Sequence, residues 1–464
     1  MTPREKIVQQ IREHGPIPFS RYMEMCLYDP EHGYYSRSSE QFGKAGDFYT
    51  SSDVHAVFGR LLARQFEEMW RVLGSPAQIK ILELGPGRGL FAQDVLDWSE
   101  KKFPEFFQAV HYSLAESSPA LRERLQGTLS KHFRSGKASL AQWPDPSPAG
   151  GSSSAAGAVP FHDRGPISDV TLEATRKGTT LESVSQLKVS GRGGRDTPRI
   201  SREAAPECSP PREPWVKGGN GQAPKERKIS CGTDSLAPEA PVIIFANEFF
   251  DALPAEIVSE QGALRIYEKD GRFVETWSAP SARELEFLDR YGVHPDNGER
   301  IEVPLVAQQY MSSVAQTIQQ GFMVIVDYGY TRQEQLAGRH RGTLMTYRQH
   351  SSSANPYEAP GEQDITAHVN FTALAASAEQ NGMQGQPLLT QSQFLLGIGE
   401  ANQFADAFEE CRLPQERAKV ALQLKHLITP AGMGETLHVL VGSKAIAPDR
   451  MVKLSGLSFG RDHC

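Results

Sequence analysis

Apolar positions in the first 78 residues recur at helical spacing. They predict a helix near Pro3–Glu13, a second near Phe19–Leu27 and a longer one over Val54–Leu73. In the last, Val57, Phe58, Leu61, Leu62, Phe66, Met69 and Val72 share a face, with Ser52 or Asp53 as N-cap. The Gly/Tyr-rich segment Tyr28–Thr50 is too patterned for a linker. At residue 79 the pattern changes. Ile79, Ile81, Leu82 and Leu84 form an apolar, β-branched run into a loop holding Gly85, Gly87 and Gly89, and helical spacing resumes with Leu90, Phe91, Val95 and Leu96. That is a buried strand, a glycine turn and a helix N-terminus, the opening of a nucleotide-binding α/β unit. Val110–Ala115 predicts a second strand ending in Glu116, and Ala138–Gln142 a short third.

Periodicity then collapses. From about Pro144 to Pro238 the chain is rich in Gly, Ser, Pro and Arg and nearly free of aromatic residues. Such a stretch buries too little apolar surface to offset its ordering entropy, which predicts a disordered surface insertion between strands. Val242–Ala246 reads as a buried central strand. Glu256–Ser259, Leu264–Lys269 and Phe273–Trp277, separated by Gln261-Gly262 and Asp270-Gly271, read as consecutive hairpins. A helix over Leu305–Gln319, a strand over Phe322–Asp327, a helix over Phe371–Gln380, a helical excursion over Glu400–Leu427 and a closing strand near Thr436–Val441 follow.

The expected fold is α/β, a doubly wound sheet carrying a helical N-terminal region, a β-hairpin appendage and a long disordered insertion. The divisions are 1–78 (helical, with a lid loop), 79–143 (first half of the core), 144–238 (insertion), 239–255 (strand and acidic motif), 256–300 (hairpin appendage, facing substrate), 301–445 (second half) and 446–464 (tail).

Composition narrows the function. Forty-nine Lys and Arg against 56 Asp and Glu leave a formal charge of −7, so nucleic acid is not an expected partner. No apolar run reaches the roughly 20 residues that span a bilayer, and Met1–Gln10 has neither a signal-peptide core nor a transit pattern. The five cysteines are scattered and lack a Cys-x-x-Cys pair, which argues against disulfides and a structural metal.

The glycine loop is spaced Glu-x-Gly-x-Gly-x-Gly, and Leu90 and Phe91 stand where a dinucleotide fold needs its third glycine. A pyrophosphate is therefore not the obvious guest. Glu83 can hold an amino group or a hydroxyl, and Glu116 ends the next strand; the plain alternatives are a glycine turn of an unrelated α/β fold and a solvated glutamate. Asn247, Glu248 and Asp251 emerge where a doubly wound sheet delivers its ligand contacts. Paired carboxylates suit a guanidinium, which at a pKa of roughly 13.8 is charged and poorly nucleophilic: they can orient it and take the proton it releases. Alternatively Glu248 caps a helix and Asp251 is structural. Gly46-Asp47-Phe48-Tyr49-Thr50-Ser51-Ser52 is either a lid or simply a loop. Asp327 or Tyr328 can face the same cleft, and His368 is a further candidate or a structural histidine.

The glycine loop resembles motif I of the class I S-adenosylmethionine (SAM) methyltransferases. Together with Gly15-Pro-Ile-Pro-Phe-Ser20, Tyr28-Asp-Pro-Glu-His-Gly-Tyr-Tyr35, Gly46-Asp-Phe-Tyr-Thr50, Glu83-Leu-Gly-Pro-Gly-Arg-Gly89, Ala246-Asn-Glu-Phe-Phe-Asp-Ala-Leu-Pro254, Val326-Asp-Tyr-Gly329, Gly342-Thr-Leu344 and Asp364-Ile-Thr-Ala-His-Val369, the chain resembles the MidA family. These motifs stand in family order and cover nearly all of the chain outside the insertion. The resemblance implies a class I (Rossmann-like) methyltransferase fold, SAM as methyl donor, and transfer to an arginine of a partner protein, with a respiratory complex I subunit as the mitochondrial members' acceptor. It places Glu83 near the methionyl amino group, Glu116 on the ribose, and Gly85, Gly87, Gly89 and Asn247 around the cofactor. Glu248 and Asp251, with Asp47 as a possible third carboxylate, would hold the guanidinium for an in-line transfer. Asn370 departs from the family's usual aspartate; that removes a base if the acid is one, or nothing if it only caps the next helix. A bacterial cytoplasm is the expected setting, and a homodimer is an open expectation. The rival readings are a non-catalytic assembly factor that keeps the fold, a methyltransferase acting on a small molecule, and a nicotinamide-dependent oxidoreductase, which the glycine spacing disfavours.

Overall fold

The computed structural model describes residues 1–36, 56–141, 240–348 and 351–460. The proposed lid at 46–52 and the insertion at 144–238 lie outside the described residues.

The core is one twisted sheet. β1 (Ile79–Leu84), β2 (Val110–Ala115), β3 (Ala138–Leu140), β4 (Val242–Asn247) and β5 (Gly321–Tyr330) run parallel in the order β3-β2-β1-β4-β5, and β6 (Leu437–Lys444) lies antiparallel against β5. Side chains alternate between two cores, as a strand covered on both faces requires. Ile243 and Phe245 of β4 pack with Phe58, Phe66 and Phe91, and the rings of Phe91 and Phe245 stack at 4.3 Å. Ile244 and Ala246 pack on the other face with Tyr310, Met311 and Leu374. The helices Ala56–Val72 and Leu90–Lys102 cover the first face, and Leu305–Thr317 and Phe371–Glu379 the second. This is the doubly wound, Rossmann-like sheet the strands predict. The chain leaves β1 toward β2 and β3, then returns to the other side of β1 as β4. The strand order reverses there, and such a point opens a crevice at the carboxyl ends of the strands.

The hairpins form as expected and recruit distant partners. Glu256–Ser259, Gly262–Lys269 and Arg272–Ser278 are antiparallel and join Ile17–Pro18 and Ile301–Val303 in a five-stranded sheet. Asp270 and Gly271 both hold positive φ, 51° and 75°, as a tight two-residue hairpin turn requires. The sheet packs Ile257, Leu264 and Ile266 against Phe19, Tyr22 and Met23 and so seats the helix Phe19–Tyr28. A third sheet, of Met345–Arg348, Ser351–Ser353 and Asp364–Thr366, has no counterpart in the sequence reading. The helices Pro119–Thr128, Ala282–Arg290 and Gln391–Glu400 were also missed, and the excursion at 400–427 is two helices, Ala405–Phe408 and Pro414–Ile428. No helix among the described residues is long and apolar enough to cross a membrane.

Candidate active site

Strand register assembles the site. Leu84 of β1 pairs with Ala115 of β2 and Ala246 of β4, and Asn247 pairs with Val326 of β5. The residues that follow, Gly85, Glu116 and Glu248, therefore stand in a row beyond three adjacent strands, level with Asp327 inside β5. A cleft of about 250 Å³ opens along that row.

One half of the cleft is the glycine loop. Gly85, Gly87 and Gly89 have φ of 65°, 53° and 78°, which L-residues adopt at a cost. A Cβ on Gly85 would also stand 2.8 Å from the Phe249 ring, so the loop lies too close to the acidic motif for a side chain. The Gly85 N–H donates to Ala115 O at 3.0 Å, which ties the turn to β2. Glu83 is 3% exposed and accepts from the Tyr112 hydroxyl at 2.8 Å. Burial pushes its carboxyl up to about 8; the Tyr112 bond opposes this and nearby Glu116 adds to it. Burial likewise pushes Glu116 up to about 7, against the backbone N–H groups of Ser118, Gly87 and Ser117. Glu116 and the glycine loop thus hold each other in place.

The other half is acidic and aromatic. Glu248 has φ of 49°, a left-handed conformation unusual for a residue with a side chain, and its N–H donates to Val326 O at 2.9 Å. Asn247 Nδ2 donates to Glu248 Oε1 at 3.1 Å, while Asn247 Oδ1 is buried with no partner among the described residues. Asp251 lines the same cleft. Burial, reinforced by Asp327, Asp364 and Glu248, holds its carboxyl well above the ordinary carboxylate range. Tyr28, Tyr35, Tyr328 and Tyr347 line this half. The Tyr28 hydroxyl donates to Ala252 O at 3.0 Å and the Tyr35 hydroxyl to Asp364 Oδ1 at 2.8 Å.

The turn that carries these tyrosines is built by Asp29. Its carboxylate accepts the N–H groups of Glu31 and His32 at 3.2 and 3.0 Å and pairs with Lys6 at 2.8 Å. Gly33 meets the Asp29 backbone so closely that a Cβ would stand 2.4 Å from its nitrogen.

The structure brings Glu83, Gly85, Gly87, Glu116, Asn247, Glu248 and Asp251 to one cleft. Gly89 opens the helix beyond it, and Asp47 lies outside the described residues. Of Asp327 and Tyr328, either of which was expected to face the cleft, Asp327 turns away from it. It is fully buried and accepts the N–H groups of Phe249 and Phe250 at 3.1 and 2.9 Å and of Tyr328 at 2.9 Å, so it fixes the Glu248 loop from behind. Tyr328 is the residue of that pair that faces the cleft. His368 stacks on Tyr328 with ring centroids 6.3 Å apart, and burial, with His340 and His438 adding, lowers its imidazole to about 4. It is a neutral wall at physiological pH. Asn370 lies outside the cleft and caps the helix Phe371–Glu379 through Oδ1, which accepts from Ala373 N at 3.0 Å. The hairpins at 256–300 contribute no residue to the cleft. Asp364, Tyr347 and Met345 line it unforeseen; Asp364 stood within a quoted motif, and that was the only signal.

A family model described as "putative S-adenosyl-L-methionine-dependent methyltransferase" matches residues 61–188 and 222–388. The chain belongs to this family. Among curated relatives, the mouse mitochondrial protein arginine methyltransferase NDUFAF7 is 37% identical over 473 aligned positions, covering 99% of this chain and 86% of the relative. The mitochondrial NDUFAF7 homolog of Drosophila melanogaster is 25% identical over 393 positions, covering 80% and 69%. A crystal structure of a Burkholderia thailandensis protein bound to S-adenosyl-homocysteine superposes with a TM-score of 0.67 at 22% identity, over 98% of this chain and 94% of that one, and so shares the fold. The methyltransferase family's cofactor suits the cradle described above. Buried Glu83 and Glu116 offer acceptors for an ammonium and a diol, and Asn247 Oδ1 awaits a donor.

Proposed function

We propose that this methyltransferase transfers a methyl group from SAM to an arginine side chain of a partner protein. The observation that carries this reading is the pairing of Glu248 and Asp251 with four tyrosines in one cleft, beside the glycine loop. A guanidinium is permanently charged, planar and weakly hydrated, so it suits carboxylates below and aromatic faces around it. The names of the mouse and fly relatives support arginine as the acceptor. A respiratory complex I subunit is the partner that the MidA resemblance adds.

SAM, when bound, supplies an electrophilic methyl on a sulfonium. The chain's own residues do the rest. Glu83 and Glu116 would hold the cofactor's amino group and ribose. Glu248, set in its strained conformation by Asp327 and Asn247, would orient one edge of the guanidinium. Asp251, whose carboxyl binds protons more tightly than an ordinary aspartate, can receive the proton the nitrogen loses on methylation. Alignment and charge complementarity provide the remaining rate enhancement.

Glu248→Gln tests the reading. It should keep SAM affinity, measured by calorimetry, and slow labelled-methyl transfer to arginine by about 100-fold or more. Undiminished transfer would refute the assigned role and favour a different acceptor.

A further inference from the structure

The small third sheet brings a carboxylate to the cleft from far along the chain. Asp364 opens the strand Asp364–Thr366, which pairs antiparallel with Met345–Arg348 so that Asp364 stands opposite Tyr347. Both residues line the cleft, and neither belongs to the doubly wound core. Asp364 is 2% exposed. Its Oδ1 accepts from the Tyr35 hydroxyl at 2.8 Å and from Ile365 N at 3.0 Å, which fixes the carboxylate against the wall. The strand is tied to the acidic motif as well, because Ala367 N donates to Asp251 O at 2.9 Å. Asp364 is close enough to Asp251 to hold that carboxyl's proton more tightly.

Three carboxylates line one cleft, Asp251 and Asp364 buried and Glu248 half-buried, with Arg88 of the glycine loop also in its wall; gathering them is costly and favours a cationic guest. The surrounding phenols lower the cost only in part. A guanidinium carries five N–H donors in a planar fork, and two carboxylates gripping it edge-on take two each, which leaves a fifth. A third acceptor from a different element would complete its cage and fix its plane. Tyr35 comes from the N-terminal region and Asp364 from the third sheet, and the two segments meet beside Asp251.

We infer that Asp364 is a third anchor for the acceptor cation, contacting the substrate directly, and that Tyr35 is the positioning residue that holds it. This rests on the arginine reading above. Asp364→Asn keeps an oxygen for Tyr35 and Ile365 N but removes the charge, so it separates anchoring from a structural role.

The test uses full-length wild-type protein, D364N and Tyr35→Phe with isotopically labelled SAM and a dilution series of lysate from a strain lacking the gene. Labelled residues are identified after hydrolysis, and SAM affinity and Tm are measured in parallel. For D364N we expect apparent kcat/KM on arginine to fall about tenfold or more, carried mostly by KM, with SAM affinity and Tm near wild type. Tyr35→Phe keeps the ring and loses only the hydroxyl bond. It should raise apparent KM about threefold with kcat unchanged, and it carries the test by itself if D364N does not fold. Arginine labelling with unchanged KM in the folded variants overturns the inference and leaves the arginine reading intact. A fall in SAM affinity that matches the loss of rate overturns it too. Label on a non-cationic acceptor, or no label from the wild-type protein, overturns both.

Discussion

Asn247 Nδ2 donates to Glu248 Oε1 at 3.1 Å, and this bond fixes the amide so that Oδ1 is left as a buried acceptor with no partner among the described residues. A carboxylate accepts only, so the amide cannot flip without losing that bond. The asparagine therefore both holds the expected guanidinium ligand and offers an acceptor to whatever occupies the cleft. Asn247→Asp sets a second carboxylate oxygen against Glu248. We expect kcat/KM for methyl transfer to fall about 100-fold, or about 2.7 kcal/mol. A wild-type rate in the same assay would remove Asn247 from the account.

Asp327 supports the motif without touching the cleft. Three backbone N–H groups, of Phe249, Phe250 and Tyr328, converge on its fully buried carboxylate. Asp327→Asn replaces an acceptor oxygen with an N–H donor facing other donors. The expected loss is about 3 kcal/mol of stability in urea denaturation, with a lower kcat as the Glu248 loop loosens. An unchanged denaturation midpoint would contradict this role.

The two acids proposed to hold the cofactor, Glu83 and Glu116, link binding to pH. Glu83 has its carboxyl raised from 4.5 to about 8, and Glu116 from 4.5 to about 7. Each folded-state value lies above the unfolded one, so the fold binds the extra protons. Their contribution to stability is full below the unfolded value and is lost as pH rises through about 7 to 8. A bound ammonium favours the ionised form, so SAM binding should release protons and tighten as pH rises from about 6 to 8. Calorimetry in phosphate and in Tris should give different apparent heats. Identical heats and a flat affinity would contradict the assignment of these acids to the cofactor.

Asn370, at the position of the family's usual aspartate, serves the fold. Besides capping its helix, it donates through Nδ2 to Tyr291 O at 2.8 Å, a bond aspartate could not make when ionised. Asn370→Ala should lower stability by about 1–2 kcal/mol, seen as an earlier thermal transition, and leave the transfer rate within about threefold of wild type. A collapse of activity in folded protein would show that this position is part of the reaction.

Much of this site was legible in the sequence because β4 is a continuous apolar run, β1 and β2 carry apolar residues at alternating positions, and a parallel sheet carries their ends to one edge. Glu83, Glu116 and Glu248 follow from that alone. Asp364, Tyr35 and Tyr347 do not. They sit on a short strand, a one-turn helix and a four-residue strand whose neighbour, Ser351–Ser353, carries no apolar signal. Which of Asp327 and Tyr328 faces the cleft is decided by β5 running on to Tyr330: the Asp327 carboxylate is enclosed and Tyr328 lines the cleft. The helix Gln391–Glu400 buries residues on nearly every side, including Gly397 and Gly399, and so shows no amphipathic stripe. Pro414 opens the last long helix and marks the break in the excursion that was read as one.

The most direct measurement is site-resolved mass spectrometry of proteins from a strain lacking this gene, after incubation with the purified enzyme and isotopically labelled SAM. The account predicts labelled methyl groups on guanidino nitrogens of one or a few arginines, absent with Glu248→Gln. Label on another residue type or on a small molecule, from protein that binds SAM normally, would contradict it.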